Sequence, residues 1–314
     1  MANIYDEFII VDEKLITDKC GDFSVCRQHI NSKFSDLTAF DELEFTFVNE
    51  TQHFQIKDIA SRSLGPLAQI VSWKWEGGSQ EIEQVNAANT TITLNSGETA
   101  VINCDKSPSV VIRILKKRQV IANPCPPLSS PGDDLTVHIG DRQVTVSAHW
   151  LMSSVSPVVE GMLSVDMKEK QQQTLNLDGH GITMEQFMQF LETVNDHFQH
   201  GRTLPNPTNV LVLLKLADHF QIDWLKERCD AHLVNCVEMP LVERFLLIER
   251  YRLNKLKNFF LRSLDVVNLR KFGKTNRAQL SSRYISKEFV LDLFKRVCDK
   301  QEEPTDGCFS REIF

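Results

Sequence analysis

The stretch Asp134-Leu135-Thr136-Val137-His138-Ile139-Gly140-Asp141-Arg142-Gln143-Val144-Thr145-Val146-Ser147-Ala148 decides how this chain is read. Leu135, Val137 and Ile139 alternate with Thr136 and His138, so a strand here has one apolar face at period two. Gly140-Asp141 supplies a turn, and Val144, Val146 and Ala148 repeat the alternation on the way back. The pattern predicts a hairpin with one buried face.

Working toward the C-terminus, Trp150–Val155 reads as a short helical turn, and Ser156-Pro157 as a helix start. Serine suits the N-cap, and proline the first helical position. Val158 with Met162, and Val159 with Leu163, are four apart and share a face. Thr174-Leu175-Asn176-Leu177 predicts a third strand, closed by Asp178-Gly179. Thr183-Met184-Glu185-Gln186 fits a capping box, with Ile182 and Phe187 placed as a hydrophobic staple. Phe187, Phe190, Leu191 and Val194 then form a buried stripe. After a polar loop with Pro205 and Pro207, a helix begins near Asn209, and Val210, Leu213, Leu214, Ala217 and Phe220 recur at helical spacing. Asp223 is expected to cap a further helix, Trp224–Leu233.

Residues 236–300 are again helical in pattern. Pro240 suits a helix start, with Leu241, Phe245 and Ile248 on one face and Arg252 at its rim. Asn254–Leu264 predicts a second helix with Leu256, Phe259 and Phe260 inward, and Ser286 caps a last one with Phe289, Leu293, Phe294 and Val297 as its stripe. Residues 301–314 read as a polar, flexible tail.

Toward the N-terminus, residues 123–132 form a proline-rich linker that neither helix nor ladder can cross, and a domain boundary belongs there. Residues 41–122 alternate short apolar runs with turn signals. Phe45–Val48, Leu67–Trp75, Thr90–Leu94, Ala100–Asn103 and Val110–Val120 read as strands of a small sandwich. Residues 1–40 are an uneven extension in which Phe8–Val11 reads as a short strand and the rest as either helical or loose. The fold class is α+β: a small sheet with packed helices at 133–235, an all-β sandwich-like segment before it and helical hairpins after it.

The segment 133–235 resembles the BTB (POZ) domain. The resemblance rests on Asp134-Leu135-Thr136-Val137 opening the hairpin, on the Ser156-Pro157 helix start, and on Ala217-Asp218-His219-Phe220 running into Trp224-Leu225. It covers about a third of the chain, and the order and spacing carry it rather than any single piece. Such domains bind proteins and catalyse nothing, so no enzyme activity is expected. Residues 41–122 resemble a short, divergent MATH domain, and residues 236–264 the opening of a BACK-type extension. Many BTB domains dock on the cullin-three scaffold of a ubiquitin ligase through a hydrophobic-x-Glu tripeptide after the Ser-Pro helix. Met167-Lys168-Glu169 stands at that place, next to Val165. The resemblance implies that Met167 and Glu169, with Val165, form the cullin contact. The protein would then be an adaptor presenting an unknown protein substrate, with a homodimer as a further expectation. The alternative is a self-associating scaffold in transcription or the cytoskeleton, without cullin. The proline linker replaces the leading helix that usually builds the dimer interface.

Composition narrows the classes. Net charge is −7, and Lys116-Lys117-Arg118 is the densest basic run, so no direct nucleic-acid contact is expected. No apolar window is long enough to cross a bilayer, and the N-terminus lacks signal-peptide order, so an intracellular place in cytoplasm or nucleus is expected. The eight cysteines are scattered without a C-x-x-C pair. Cys229, His232 and Cys236 lie at helical spacing but lack a fourth ligand, and His197-x-x-His200 lies in a loop without a partnering Glu motif, so no metal or cofactor is expected.

Overall fold

The computed structural model describes residues 3–17, 43–48, 53–58, 66–73, 90–95, 98–103, 109–119, 121–128, 132–151, 156–164, 171–198, 203–264, 266–280 and 285–299. Met1–Trp75 with Asn86–Glu238 forms one compact unit, and Glu76–Val85 with Met239–Phe314 forms a second. The class is α+β.

Among the described residues, the first unit contains three sheets. After a four-residue helix α1 (Ile4–Glu7), strand β1 (Phe8–Thr17) opens an antiparallel sheet of order β1-β7-β4-β5, with β4 at Pro66–Trp73, β5 at Thr90–Asn95 and β7 at Ser109–Lys117. A second sheet has the order β2-β3-β6, built from Leu43–Val48, His53–Asp58 and Thr99–Asn103. The strand at Phe8 is longer than its apolar start suggests, because β7 pairs with it along its length from Phe8↔Lys117 to Thr17↔Ser109. Val110–Leu115 are six consecutive buried residues, so β7 is covered on both faces. Strand β3 has no counterpart in the sequence reading. His53-Phe54-Gln55-Ile56-Lys57-Asp58 carries too few apolar residues to stand out alone, and its partners β2 and β6 define it.

The third sheet is the one read first. β8 (Asp134–Ile139) and β9 (Arg142–Ser147) form the expected hairpin, in register from Asp134↔Ser147 to Ile139↔Arg142. Gly140 turns it with φ +61°, a conformation glycine adopts without a Cβ penalty. β10 (Thr174–Asn176) joins β8 in parallel, which the helical crossover between them permits. That crossover contains α2 (Ala148–Trp150) and α3 (Pro157–Ser164). α4 (Met184–Phe198), α5 (Val210–His219) and α6 (Asp223–Asn235) complete the unit. Phe187, Phe190, Leu213, Leu214, Ala217 and Leu225 are buried, and Phe190 lies between Phe187 and Phe220 at centroid distances of 5.9 and 5.6 Å. Two expectations need correction. Asp223 is the first helical residue of α6 rather than its cap, since Ile222 holds the cap position. His197 lies in the last turn of α4, not in a loop.

In the second unit, α7 (Leu241–Tyr251) ends at Arg252, which takes a left-handed conformation with φ 54°. α8 (Asn254–Asn258) widens into a π-helical stretch over Phe259–Ser263. α9 (Val266–Thr275), α10 (Arg277–Leu280) and α11 (Lys287–Asp299) follow. Phe245 is the hub, with ring centroids 5.1 Å from Phe260, 5.3 Å from Phe272 and 5.1 Å from Phe289. Ser286 caps α11 through its hydroxyl, which accepts from the Phe289 N–H at 3.2 Å. Phe294 does not belong to the buried stripe: it is 65% exposed, because Phe289 and Leu293 already fill the inner face. Among the described residues no helix is long and apolar enough to cross a membrane.

Candidate partner-docking site

Val165, Met167 and Glu169 lie outside the described residues. The chain on either side of them is firmly held. Before them, the Ser156 hydroxyl accepts from the Val159 N–H at 3.2 Å and donates to the Phe220 carbonyl at 2.7 Å. One side chain thus caps α3 and ties it to the turn after α5. Val159 is buried beside Leu151, Leu175, Phe187, Phe190 and Phe220, a cluster that leaves no room for a water molecule. After them, Gln173 adopts φ 49°, and its carbonyl accepts from the Thr136 N–H at 2.9 Å. The helix before residues 165–170 is thus tied to the turn after α5, and the residue Gln173 after them to β8.

The hairpin itself is held at Asp133, one residue before the acidic position that the sequence reading singled out. Asp134 is exposed; Asp133 is wholly buried. Its carboxylate accepts from the Ser147 hydroxyl at 2.9 Å, from the His149 N–H at 2.8 Å and from the Leu128 N–H. Burial would raise this carboxyl, but these hydrogen bonds hold it below the usual range. They also fix the proline-rich segment, whose Cys125 carbonyl accepts from the Ser147 N–H at 3.0 Å while Asn123 donates to the Thr145 carbonyl at 2.8 Å. Residues 121–128 hold neither helix nor strand, as their prolines dictate, yet they lie along the edge of β9. Cys125 is buried and its thiol is pushed up to about 12 by desolvation, so it acts as a small apolar residue.

A second polar cluster joins the first sheet to the helices that follow the hairpin. Arg113, wholly buried on β7, donates from Nε to Glu13 at 2.8 Å, from Nη1 to the Tyr5 hydroxyl and to Gln69, each at 3.1 Å, and from Nη2 to Glu238 at 3.1 Å and to the Asn235 carbonyl at 3.5 Å. Asn235 also donates to Glu13 at 3.0 Å. The imidazole Nδ1 of His232 stands 3.0 Å from Glu13 Oε2, the oxygen that Arg113 also reaches, without an aligned hydrogen bond. Burial alone would raise Glu13, but His232 and the Arg113 guanidinium overcome it and hold the carboxyl at about 2. Burial raises Tyr5 to about 12, against the pull of Arg113. Outside this cluster, Arg118 forms a two-pronged pair with Glu192 of α4, and the Leu204 N–H donates to the Ile10 carbonyl at 2.7 Å. The first sheet is thus locked onto the helices by charge and by backbone. The sequence reading missed this cluster. Its signal was present as Arg113, a lone cation inside the apolar run Val110–Leu115.

This geometry also settles where the cysteine and histidine group goes. His232 faces a carboxylate, and Cys229 is buried in the core with its thiol pushed up by desolvation. Among the described residues, no group of three potential ligands converges on one point.

Hairpin, parallel third strand, Ser-Pro helix and paired α5–α6 together define a BTB/POZ fold, and residues 131–236 match the BTB/POZ domain family. Residues 131–236 are thus a BTB/POZ domain, and such a domain is an interaction module rather than a catalytic centre. It is also similar to Ethylene-overproduction protein 1 of Arabidopsis thaliana, at 36% identity over 118 residues. That match covers 37% of this chain but only 12% of the plant protein.

Proposed function

We propose that this protein is an adaptor whose BTB domain docks on the cullin-three scaffold through Met167 and Glu169, with Val165 beside them. The β-rich N-terminal sheets present the protein substrate, in the manner of a divergent MATH domain. The observation that carries the reading is the anchored frame around residues 165–170, in a region that matches the BTB/POZ family. Met167 is flexible and polarizable and suits a shallow apolar cleft. Burying it is worth about 1.5–3 kcal/mol, the scale of an interface hot spot. Glu169 orients the contact and steers encounter with a basic partner surface. Ubiquitin transfer itself belongs to other subunits. The rigid junction at Arg113 suits this role, because a substrate held by the first sheet keeps a fixed position relative to the BTB domain.

Coprecipitation of cullin-three with the full chain tests the proposal. Wild type is expected to retain it and Met167→Asp/Glu169→Lys to lose it. Failure of the wild type sinks the adaptor reading, whereas equal retention by the double variant sinks only the site assignment.

A second reading, a self-associating scaffold, draws on Ile121 and Leu128, which are 51% and 60% exposed on the segment along β9. Sedimentation over a range of concentrations decides it: a concentration-independent monomer removes this reading.

A further inference from the structure

Helix α11 (Lys287–Asp299) has apolar side chains on two sides, and the second unit buries those of one side. Phe289 and Leu293 are buried there, with Phe289 packed on Phe245. On the other side Leu291 and Phe294 are 57% and 65% exposed, and Cys298 is exposed one turn further on. Lys287, Leu291, Phe294 and Cys298 are all exposed and follow one another at intervals of four, three and four, so they form one line along the helix. A single exposed leucine is ordinary, whereas a leucine and a phenylalanine one turn apart make a continuous apolar stripe. The helix cannot roll to bury it. The Ser286 hydroxyl caps its first turn, and Arg296 near its end donates to the Phe260 carbonyl at 2.7 Å and to the Arg262 carbonyl at 2.9 Å. Rolling would break these bonds and draw the wholly buried Phe289 away from the Phe245 ring. The flank of the stripe is charged in a definite order. Glu288 and Lys295 are exposed on the same side of the line, two turns apart. Lys295 makes a loose i, i+3 pair with Asp292 at 3.7 Å that leaves its side chain largely in water.

We infer that the outer face of α11 pairs with the same face of a second copy of this chain, the two helices running antiparallel about a two-fold axis. Reversal makes this face complementary to itself. It sets Leu291 against Phe294 of the partner subunit, and by symmetry Phe294 against the partner subunit's Leu291. It brings Glu288 to Lys295 of the partner subunit, and this pair also forms twice. The apolar stem of Lys287 covers the partner's Cys298 while its ammonium group stays in water. A parallel pair would set Lys287 against Lys287 of the partner subunit, like charge to like, and would leave Glu288 and Lys295 at different heights. A lipid surface is a poorer match. The exposed residues of α11 carry as many carboxylates (Glu288 and Asp292) as ammonium groups (Lys287 and Lys295), so anionic headgroups gain no attraction. The 13 residues of α11 span about 20 Å, which puts the contact at the small end of interfaces, where association is weak and reversible. The contact uses neither residues 165–169 nor Ile121 and Leu128, and it does not rest on the cullin proposal.

The test is sedimentation velocity of the full chain over a wide range of concentrations. Wild type is expected to pass from monomer to dimer as concentration rises. Phe294→Asp should weaken dimerisation at least about tenfold, as loss of a central apolar anchor does. The gentler Leu291→Gln/Phe294→Gln should weaken it as well. Both should keep the wild-type unfolding midpoint, because the side chains they change are exposed. Glu288→Lys and Lys295→Glu should each weaken the dimer about threefold or more, since each removes both symmetric pairs and sets like charges together. Glu288→Lys/Lys295→Glu should recover most of that loss, because the same pairs form with their signs exchanged. A wild type that stays monomeric at every concentration overturns the inference. So does a dimer that survives Phe294→Asp; its loss in Ile121→Asp/Leu128→Asp would then assign self-association to the first unit. A charge-exchanged double variant that dimerises no more tightly than its single parents also overturns it, since self-pairing in this register requires the recovery.

Discussion

Arg113 shows how one side chain can fix the relation between two parts of a fold. It reaches Glu13 on its own sheet, the Asn235 carbonyl at the end of α6 and Glu238 just beyond it, while its own side chain is wholly buried. Breaking a buried pair costs more than the pair itself contributes, because the remaining charge keeps its desolvation penalty. Arg113→Ala is therefore expected to lower unfolding stability by about 3–5 kcal/mol, measured by chemical denaturation. Arg113→Met, which removes the charge but fills the space, should still leave Glu13 stranded, and Glu13→Gln added to it should recover part of the loss. Failure of that partial rescue would show that packing, not charge, holds the junction. Glu13 also sets a pH dependence. Its carboxyl titrates at about 2 in the folded protein against 4.5 unperturbed. A lowered carboxyl stabilises fully above the unfolded value, so its contribution is intact above about pH 4.5 and is lost as pH falls toward 2. The acid limb of the stability profile should be flatter in Glu13→Gln than in wild type. Parallel acid limbs would contradict this assignment.

At the scale of elements, local chemistry was legible at the helix starts Ser156, Thr183 and Ser286, though not at Asp223. The capping box at Thr183 forms as its residues dictate: the Gln186 N–H donates to the Thr183 hydroxyl at 3.3 Å, and the Thr183 N–H donates to the Gln186 side chain at 2.9 Å. Thr183→Ala is expected to cost about 1 kcal/mol in thermal or chemical unfolding. Ser156→Ala should cost more, up to about 2 kcal/mol, since it also leaves the buried Phe220 carbonyl without that donor. Equal losses at the two positions would remove Ser156 as the tie between α3 and the α5 turn. What escaped the sequence depends on partners distant in the chain. β3 is a strand because β2 and β6 flank it. Asp133 outranks its neighbour Asp134 because Ser147, His149 and Leu128 converge on it. α9 and α10 were passed over because Val266–Leu280 carries only Leu269 and Phe272 inward, too thin a stripe to register beside so many cations.

At the scale of the molecule, the proline-rich segment reads as a place where one domain stops, and its described residues form neither helix nor strand. Its carbonyls and side chains nevertheless bind β9, and Arg113 and Arg118 bind helices of the BTB region, so Met1–Trp75 and Asn86–Glu238 share one compact unit. Composition could not reveal this, because it counts charges without saying which ones meet. If the union is cooperative, the first unit unfolds in one transition, and Arg113→Ala should shift that transition as a whole. A separate early melting of the N-terminal sheets would contradict it. In the proposed adaptor role, such a body would hold one partner at the first sheet and another at the BTB domain. The most direct measurement is calorimetric titration of purified cullin-three into the full-length chain and into Met167→Asp/Glu169→Lys, with unfolding midpoints compared. The account predicts saturable binding by the wild type, at least about tenfold weaker binding by the variant, and unchanged midpoints. Absence of binding by a folded wild-type protein would contradict it.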